Sequence, residues 1–435
     1  NEDIKNIFLP KLNSGEWSGT MNLTEPQAGS DVGALRTLAL KDNDGTYKIT
    51  GQKIYISWGD HSLSSNICHL LLARLPNSPK GTKGISLFLV PKFIPDQNGN
   101  INEVNSINTI SLEHKMGLHG SPTAVLEYKN AKAWLIGEEN KGMMAMFTMM
   151  NNARLGVAVQ GLSQSELATQ KAIEFAKTRH QGRNMNNSEE ISTPIINHAD
   201  VRRNLLIMKS LTYISRALCF ETALTIDLSK NKNDPFLKRK ASFLTPIAKS
   251  FCTEIGGKVA DLAIQIHGGM GYIEETGISQ VYRDVRITSI YEGTNGIQAM
   301  DLVGRKLMDG GEAAYSLVDD IQKTVKTCPE DFSSIANEVM LASEALREAI
   351  KWMCSQKNIN DRFAGAVPFL NAFARVLGGY FHLKSAIQEG PLGQRTKLAR
   401  FYIFNLMPEY MGLLQQAKQG CEDLYSFSAN ELLEA

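Results

Sequence analysis

No stretch of this 435-residue chain supplies the about 18 consecutive apolar residues that a membrane-spanning helix needs. Charge of one sign is missing too. Net charge is +1, so no global field draws the chain to nucleic acid or to an anionic membrane surface. Six cysteines, Cys68, Cys219, Cys252, Cys328, Cys354 and Cys421, share no C-x-x-C pair and no common spacing. They read as free buried thiols in a reducing compartment rather than as disulfides or a zinc cluster. His114 and His119 in "EHKMGLHG" are five apart across a glycine, a poor helical pair for a metal. There is no G-x-S-x-G elbow and no Walker loop, which removes acyl-serine and P-loop chemistry. Internal repeats and low-complexity tracts are absent. The opening "NEDIKNIFLPKLNSGEW" has neither a basic start nor an apolar h-region, so it does not read as a signal peptide. It also lacks an initiator Met, as expected of a processed chain or of part of a longer one.

What remains is an ordinary soluble composition, 43% hydrophobic and 21% charged, long enough for two to four domains. Two textures follow one another. From about Ser18 to Ile136, short apolar runs and period-two alternation are broken by Gly, Pro, Asn and Asp. "TYKITGQKIYISWG" alternates Tyr47 and Ile49, then Ile54 and Ile56, around an apparent Thr-Gly-Gln turn. "ICHLLLARL" and "GISLFLVPKFI" are buried-strand candidates, and "TAVLEYKNAKAWLIG" reads as another strand pair. From Gly142 the period becomes helical, through "MMAMFTMMNNARLGVAVQGLSQSELATQKAIEFAKTR". Further helical runs cover about Pro194–Leu228, Asp234–His267 and Ile278–Met308, and a last segment includes Ile335–Met340 and "FLNAFARVLGGYFHLKSAI". "NMNNSEEISTP" and "DLSKNKNDPF" are the loop candidates. The Met143–Met150 cluster suits pliable core or interface filler.

Three segments carry candidate chemistry. "HGGMGYIEETG" has the glycines of a dinucleotide loop, but helical spacing at Val259, Leu262, Ala263 and Ile266 precedes it. Gly268-Gly269 is therefore a helix C-cap. In "MNLTEPQAGSD", Pro26 and Gly29 make a turn, while Thr24, Ser30 and the N–H groups near Ala28 offer donors to a polar ring edge or a phosphate. A plain Pro-Gly turn explains the same residues. In "SIYEGTNGIQ" the lone carboxylate Glu292 follows Ile290 and Tyr291 and precedes Gly293. Desolvation would raise its pKa and make it a general base; a capping or ion-paired glutamate is the alternative.

The order "LTEPQAGSD", "GQKIYIS", "KTRHQGR", "QIHGGMGY" and "YRDVRITSIYEGTNGIQ" resembles the acyl-CoA dehydrogenase family over about Ser18 to Leu307. The helical part after about Gly310 resembles that family's longer branch. This branch includes 3-methylmercaptopropionyl-CoA dehydrogenase-like enzymes and DNA-associated alkylation-response relatives. The implied fold is α+β: residues 1–18 as the remnant of an N-terminal helical domain, a middle β domain at 19–136, a C-terminal helical bundle at 137–310 and a helical extension at 311–435. The family's helical N-terminal domain, which helps wall the acyl pocket, is then expected to be missing or supplied by another chain.

The implied activity is FAD-dependent conversion of an acyl-CoA thioester to the trans-2-enoyl-CoA. Glu292 would be the catalytic base, and hydride would pass to flavin N5 on the opposite face of the Cα–Cβ bond. The resemblance assigns Met21, Leu23 and Thr24 to an isoalloxazine edge, Ser30 to the pyrophosphate or the CoA chain, and Tyr55 and Ser57 to flavin contact. It assigns Thr294 to the flavin phosphate region. Arg179, Gln181, Gln265 and Gly269 would hold the FAD of a neighbouring subunit. Asn151, Arg154 and Gly293 would face the CoA thioester. Gly182 and Gly296 depart from the aromatic residue and the Gln frequent in the family, so the interface grip on the cofactor is expected to differ in detail. The expected partners are acyl-CoA, an electron-transfer flavoprotein as acceptor and further copies of the chain in a homodimer or homotetramer. A bacterial cytoplasm fits better than a mitochondrial matrix, and fatty-acid β-oxidation is the expected setting. No membrane, nucleic acid or metal partner is expected. The alternative reading, a flavin-carrying DNA-associated protein, requires a basic C-terminal extension.

Overall fold

The computed structural model describes residues 2–183 and 192–434. The chain divides into two compact units, one up to Asn151 and one from Asn152 onward. The architecture is α+β: strands fill the first unit and helices the second.

The first unit opens with a helix, α1 (Glu2–Ser14). Nine strands follow: β1 (Trp17–Asn22), β2 (Leu38–Lys41), β3 (Tyr47–Ser57), β4 (Asn66–Arg74), β5 (Ile85–Pro91), β6 (Phe93–Pro95), β7 (Ile101–Val104), β8 (Ile107–Leu112) and β9 (Thr123–Ile136). The pairings β4–β5, β5–β9, β9–β3, β3–β2 and β2–β4 close on themselves. β1 lies parallel to β4, and β8 lies antiparallel on β9. Closing the ring leaves few free edges and buries Ile49, Leu71, Phe88, Val90, Leu126 and Tyr128 in one cluster. β5 is buried along its whole length, which explains why its sequence is apolar apart from Ser86.

Two expectations in this unit are corrected. Residues 50–52 make no turn, because Tyr47–Ser57 is a single strand. Its apolar parity changes because Tyr55 has φ +60° and bulges out between Lys53 and Ile56, so Tyr47, Ile49, Lys53 and Ile56 all point inward. The presumed strand pair at 123–136 is likewise one strand. Asn130, at φ +55°, is the extra residue that bends it; β9 pairs with β3 on both sides of this bulge, with β8 before it and with β5 after it.

The second unit is built on α2 (Gly142–Thr178), α3 (Ala199–Asn231) and α4 (Pro235–His267). The first turns of α2 belong to the first unit, where Met143, Met146, Met149 and Met150 pack with Leu72 and Leu87 as pliable filler. The loop expected at "DLSKNKNDPF" is short. α3 runs to Asn231, and Asp234 caps α4 by accepting from the N–H groups of Phe236 and Leu237, with Pro235 in the first turn. Of the loop expected at "NMNNSEEISTP", residues 184–191 lie outside the described residues. Gly268, at φ +59°, is the C-cap of α4 as expected, and α5 (Gly269–Tyr272) follows at once.

The presumed helical run Ile278–Met308 is broken. α6 (Ile278–Arg286) ends in a tight turn at Ile287–Ser289, and α7 (Asn295–Asp301) starts only after residues 290–294. Helices α8 (Glu312–Lys326), α9 (Ser333–Ser355), α10 (Ile359–Ala364), α11 (Ala366–Glu389), α12 (Gln394–Asn405) and α13 (Glu409–Ala417) join the same apolar core. α11 is buried around most of its circumference, through Phe369, Phe373, Leu377 and Phe381, which is why its sequence is apolar nearly throughout. All six cysteines are free.

Candidate active site

In the second unit the break between α6 and α7 holds Glu292. Its φ is +56°, a left-handed conformation uncommon for a residue with a Cβ, and Gly293 follows at +85°. Both carbonyls of this turn are held. The fully buried Gln298, on α7, donates Nε2 to the carbonyls of Glu292 at 3.2 Å and Gly293 at 3.3 Å. Lys249 of α4, 0% exposed, donates Nζ to the Gly293 carbonyl at 2.7 Å and to Asn295 Oδ1 at 3.1 Å. The Thr294 hydroxyl caps α7 by accepting from the Ile297 N–H at 3.3 Å. Tyr291 is tied to Gln160 through its hydroxyl.

Only glycine fits at 293. A Cβ there would lie 2.6 Å from Gln298 Nε2 in a backbone region that side chains avoid. Gly293→Ala is therefore expected to lose about 1–3 kcal/mol of stability and to displace Gln298. Denaturant unfolding checks this, and an unchanged midpoint would contradict the geometry. A second glycine positions the site from α2. A Cβ on Gly161 would lie 2.4 Å from the Cys252 carbonyl, so α2 and α4 approach closely here. That approach sets Arg154 and Gln160 beside the turn.

The electrostatics follow from burial. Among the described residues, neither the Glu292 carboxylate nor its backbone N–H has a hydrogen-bond partner, so both are available to a ligand. Burial pushes the Glu292 carboxyl up from its ordinary value, while the charges of Arg154 and Lys249 pull it part of the way back. Burial and the nearby Arg154 bring Lys249 down to about 8, against the attraction of Glu292. Arg154 is itself buried, 3.7 Å from Asp301 Oδ2, and its Nε has no hydrogen-bond partner among the described residues. Asp301 is shared with Arg305 on the solvent side.

Other expected residues lie elsewhere in the second unit. Gln265, in the last turn of α4, and Gly269, which opens α5, are both exposed. Arg179 and Gln181 follow the end of α2, with Arg179 Nη2 3.4 Å from Gln181 Oε1. Phe175 stacks on His267 at 4.4 Å, so these two helix ends are neighbours. They are not close to Glu292: Arg154 and the end of α2 are about 36 Å apart along a helix rising ~1.5 Å per residue.

In the first unit, β1 leads Met21 to the segment holding Leu23 and Thr24, all half-buried. The Thr24 carbonyl accepts from the Ile54 N–H at 3.0 Å, which brings Tyr55 beside it. The bulge leaves Tyr55 61% and Trp58 40% exposed. Among the described residues the hydroxyls of Thr24, Ser30 and Ser57 make no hydrogen bond. Asn151 is exposed on α2.

Four residues of these clusters escaped sequence reasoning. Glu25, 3% exposed, pairs with the fully buried Lys53 at 2.8 Å. Its carboxylate also accepts from the Thr37 hydroxyl at 2.6 Å, the Arg36 N–H at 2.6 Å and Gln27 Nε2 at 2.7 Å. Lys53 donates as well to the Leu23 carbonyl at 2.9 Å. The pair therefore pins the whole 23–37 loop to β3. Lys249 and Gln298 are the other two. The available signal was a charge at an inward position, Lys53 in phase with Tyr47 and Ile49, and Lys249 alone in the apolar run "FLTPIAKSFC".

Comparison with known proteins agrees along the chain. Residues 20–131 match the acyl-CoA dehydrogenase middle domain, 140–308 the acyl-CoA dehydrogenase C-terminal domain, and 317–428 an acetyl-CoA dehydrogenase C-terminal-like domain. The chain is 45% identical over 385 residues to 3-methylmercaptopropionyl-CoA dehydrogenase of Ruegeria pomeroyi, covering 86% of this chain and 66% of the relative. It is 36% identical to a butyryl-CoA dehydrogenase of Syntrophomonas wolfei, covering 96% of this chain and 73% of the relative. Among solved structures, Caenorhabditis elegans ACDH-11 in complex with C11-CoA superposes with a TM-score of 0.77 at 25% identity, over 89% of this chain and 64% of that one. The chain thus spans about two thirds of the length of these relatives. With each part matched in order, the chain belongs to the acyl-CoA dehydrogenase family.

Proposed function

We propose that the protein performs FAD-dependent α,β-dehydrogenation of an acyl-CoA thioester to the trans-2-enoyl-CoA, with Glu292 as the base. The observation that carries this reading is the state of Glu292: half-buried, held in a left-handed turn, and without a partner for its carboxylate or its N–H among the described residues. A carboxylate in that state can take the Cα proton. The N–H of the same residue is free to donate to the thioester carbonyl, which makes that proton acidic. Arg154, buried with an unpartnered Nε, supplies positive charge beside the base.

The first unit offers a face that fits a flavin. Exposed Tyr55 and Trp58, half-buried Met21 and Leu23, and the unpartnered hydroxyls of Thr24 and Ser57 together suit a flat ring with a polar edge. When bound, FAD supplies the acceptor for the hydride lost from Cβ. Ser30 would serve the pyrophosphate or the CoA chain, Thr294 the flavin phosphate region, Asn151, Arg154 and Gly293 the CoA thioester. Arg179, Gln181, Gln265 and Gly269, remote from Glu292, would serve the cofactor of a second copy in a homodimer or homotetramer. An electron-transfer flavoprotein would reoxidise the enzyme. In the C-terminal helices cations pair with anions, Arg347 with Asp319 and Arg375 with Glu409, which favours the dehydrogenase reading over a DNA-associated one. Among the described residues no helix is long and apolar enough to cross a membrane.

The test is product analysis. The names of two relatives direct a panel of 3-methylmercaptopropionyl-CoA, butyryl-CoA and longer thioesters, incubated with the FAD-loaded protein and an artificial electron acceptor. A product two hydrogens lighter supports the reading; unchanged thioesters across the panel would refute it. The rate should rise with pH as Glu292 loses its proton, with the midpoint above the ~4.3 of an ordinary glutamate. A midpoint at or below that value would contradict the desolvated base.

A further inference from the structure

We infer that Lys249 is a positioning residue for Glu292, holding the turn that presents the base while its charge keeps the base ionised. The inference rests on Glu292 being the base.

The geometry comes first. Lys249 reaches the turn from the middle of α4 and is fully buried. Its Nζ holds the Gly293 carbonyl, one peptide after the left-handed Glu292, at 2.7 Å. Its other acceptor, Asn295 Oδ1, is itself fixed: Thr253 Oγ1 donates to the same oxygen at 3.1 Å, and Asn295 Nδ2 donates to the Ser250 carbonyl at 3.2 Å. Lys249, Asn295 and Gln298 therefore lock the 292–295 backbone to α4 and α7. Left-handed geometry at a residue with a Cβ persists only where surrounding contacts over-determine it.

The second step is charge. Both hydrogen bonds of Lys249 go to neutral acceptors, which a neutral amide could equally satisfy. Burying an ammonium for them alone is unfavourable. Two charged groups face it: Arg154 from α2, which opposes its charge, and Glu292 from the turn, which favours it. The coupling to Glu292 is what a cation adds at this position. Burial drives the carboxyl toward its protonated, unreactive form, and Lys249 and Arg154 oppose that drive.

Lys249→Gln keeps a donor and removes the charge, and Lys249→Met removes both. In Lys249→Gln the Glu292 carboxyl, followed by infrared titration without substrate as the band that Glu292→Gln abolishes, should titrate about one pH unit higher than in the wild type. The ascending limb of turnover should move with it. kcat should fall about tenfold at neutral pH with KM changed less than threefold, because substrate contacts are intact. Lys249→Met should lower kcat further, and if it does not fold the glutamine variant carries the test. A Lys249→Gln protein with the wild-type titration and kcat, beside an inactive Glu292→Gln, would overturn this inference and leave the base intact. An active Glu292→Gln would overturn both.

Discussion

Lys53→Met is expected to destabilise the first unit by about 3–5 kcal/mol, the loss that follows when one partner of a buried ion pair is removed. Lys53 is fully buried and Glu25 nearly so, and the ammonium bridges the Glu25 carboxylate and the Leu23 carbonyl. Without it the carboxylate stays buried with only neutral donors: the Thr37 hydroxyl, the Gln27 amide and two backbone N–H groups. Burial alone would raise the Glu25 carboxyl, but Lys53, Thr37 and Arg36 hold it down to about 2. A carboxyl near ~4.3 in the unfolded chain and about 2 when folded binds fewer protons in the folded state. Its stabilisation is therefore complete above the unfolded value and is lost as pH falls toward 2. In Lys53→Met the acid unfolding limb should shift upward. Urea unfolding at pH 7 and at pH 4 measures both effects, and a variant within about 0.5 kcal/mol of wild type, the range of ordinary surface substitutions, would show that the pair does not hold the loop. The same loop carries Leu23, Thr24 and Ser30, so cofactor retention should weaken with it.

Glu292→Gln is expected to lower kcat by about 10²–10⁴-fold, the range of a lost general base, while the turn and its carbonyl contacts are kept. Glutamine matches glutamate in size, and Gln298 and Lys249 hold main-chain oxygens that the substitution does not touch. Stability should therefore fall little or rise, because a desolvated carboxylate is replaced by a neutral amide. That combination, a chemical step lost without unfolding, separates a base from a structural glutamate. Steady-state kinetics with thermal unfolding on the same preparation reads both, and an active variant would contradict the assignment.

The division into a strand region and a helical region was legible because burial periodicity is written in residue type. β5, buried on both faces, is apolar apart from Ser86, and α2 keeps helical spacing over its whole length. What was not legible is where the backbone departs from its period. The apolar positions Val281, Val285, Ile290 and Ile297 keep near-helical spacing across the break that holds Glu292. Nothing local marks that break except Gly293, whose need for a left-handed φ appears only once Gln298 and Lys249 converge on it. Likewise the bulge at Tyr55 imitates a turn, because both reverse the inward parity. The partners of the site were hidden for a related reason. Lys53, Lys249 and Glu25 are charged, and a charge in a strand or helix reads as a solvent position until the fold shows that its phase points inward. Glu292 stood out as a candidate because Ile290, Tyr291 and Gly293 lie next to it in sequence, with the resemblance deciding between a base and a capping glutamate, whereas Lys249 and Arg154 are 43 and 138 positions away.

The most direct measurement is the visible spectrum of the purified protein with FAD, before and after each acyl-CoA thioester is added without oxygen. The account predicts flavin colour that stays with the protein and bleaches with at least one thioester. A protein that takes up no FAD, or a bound flavin that no thioester bleaches, would contradict it.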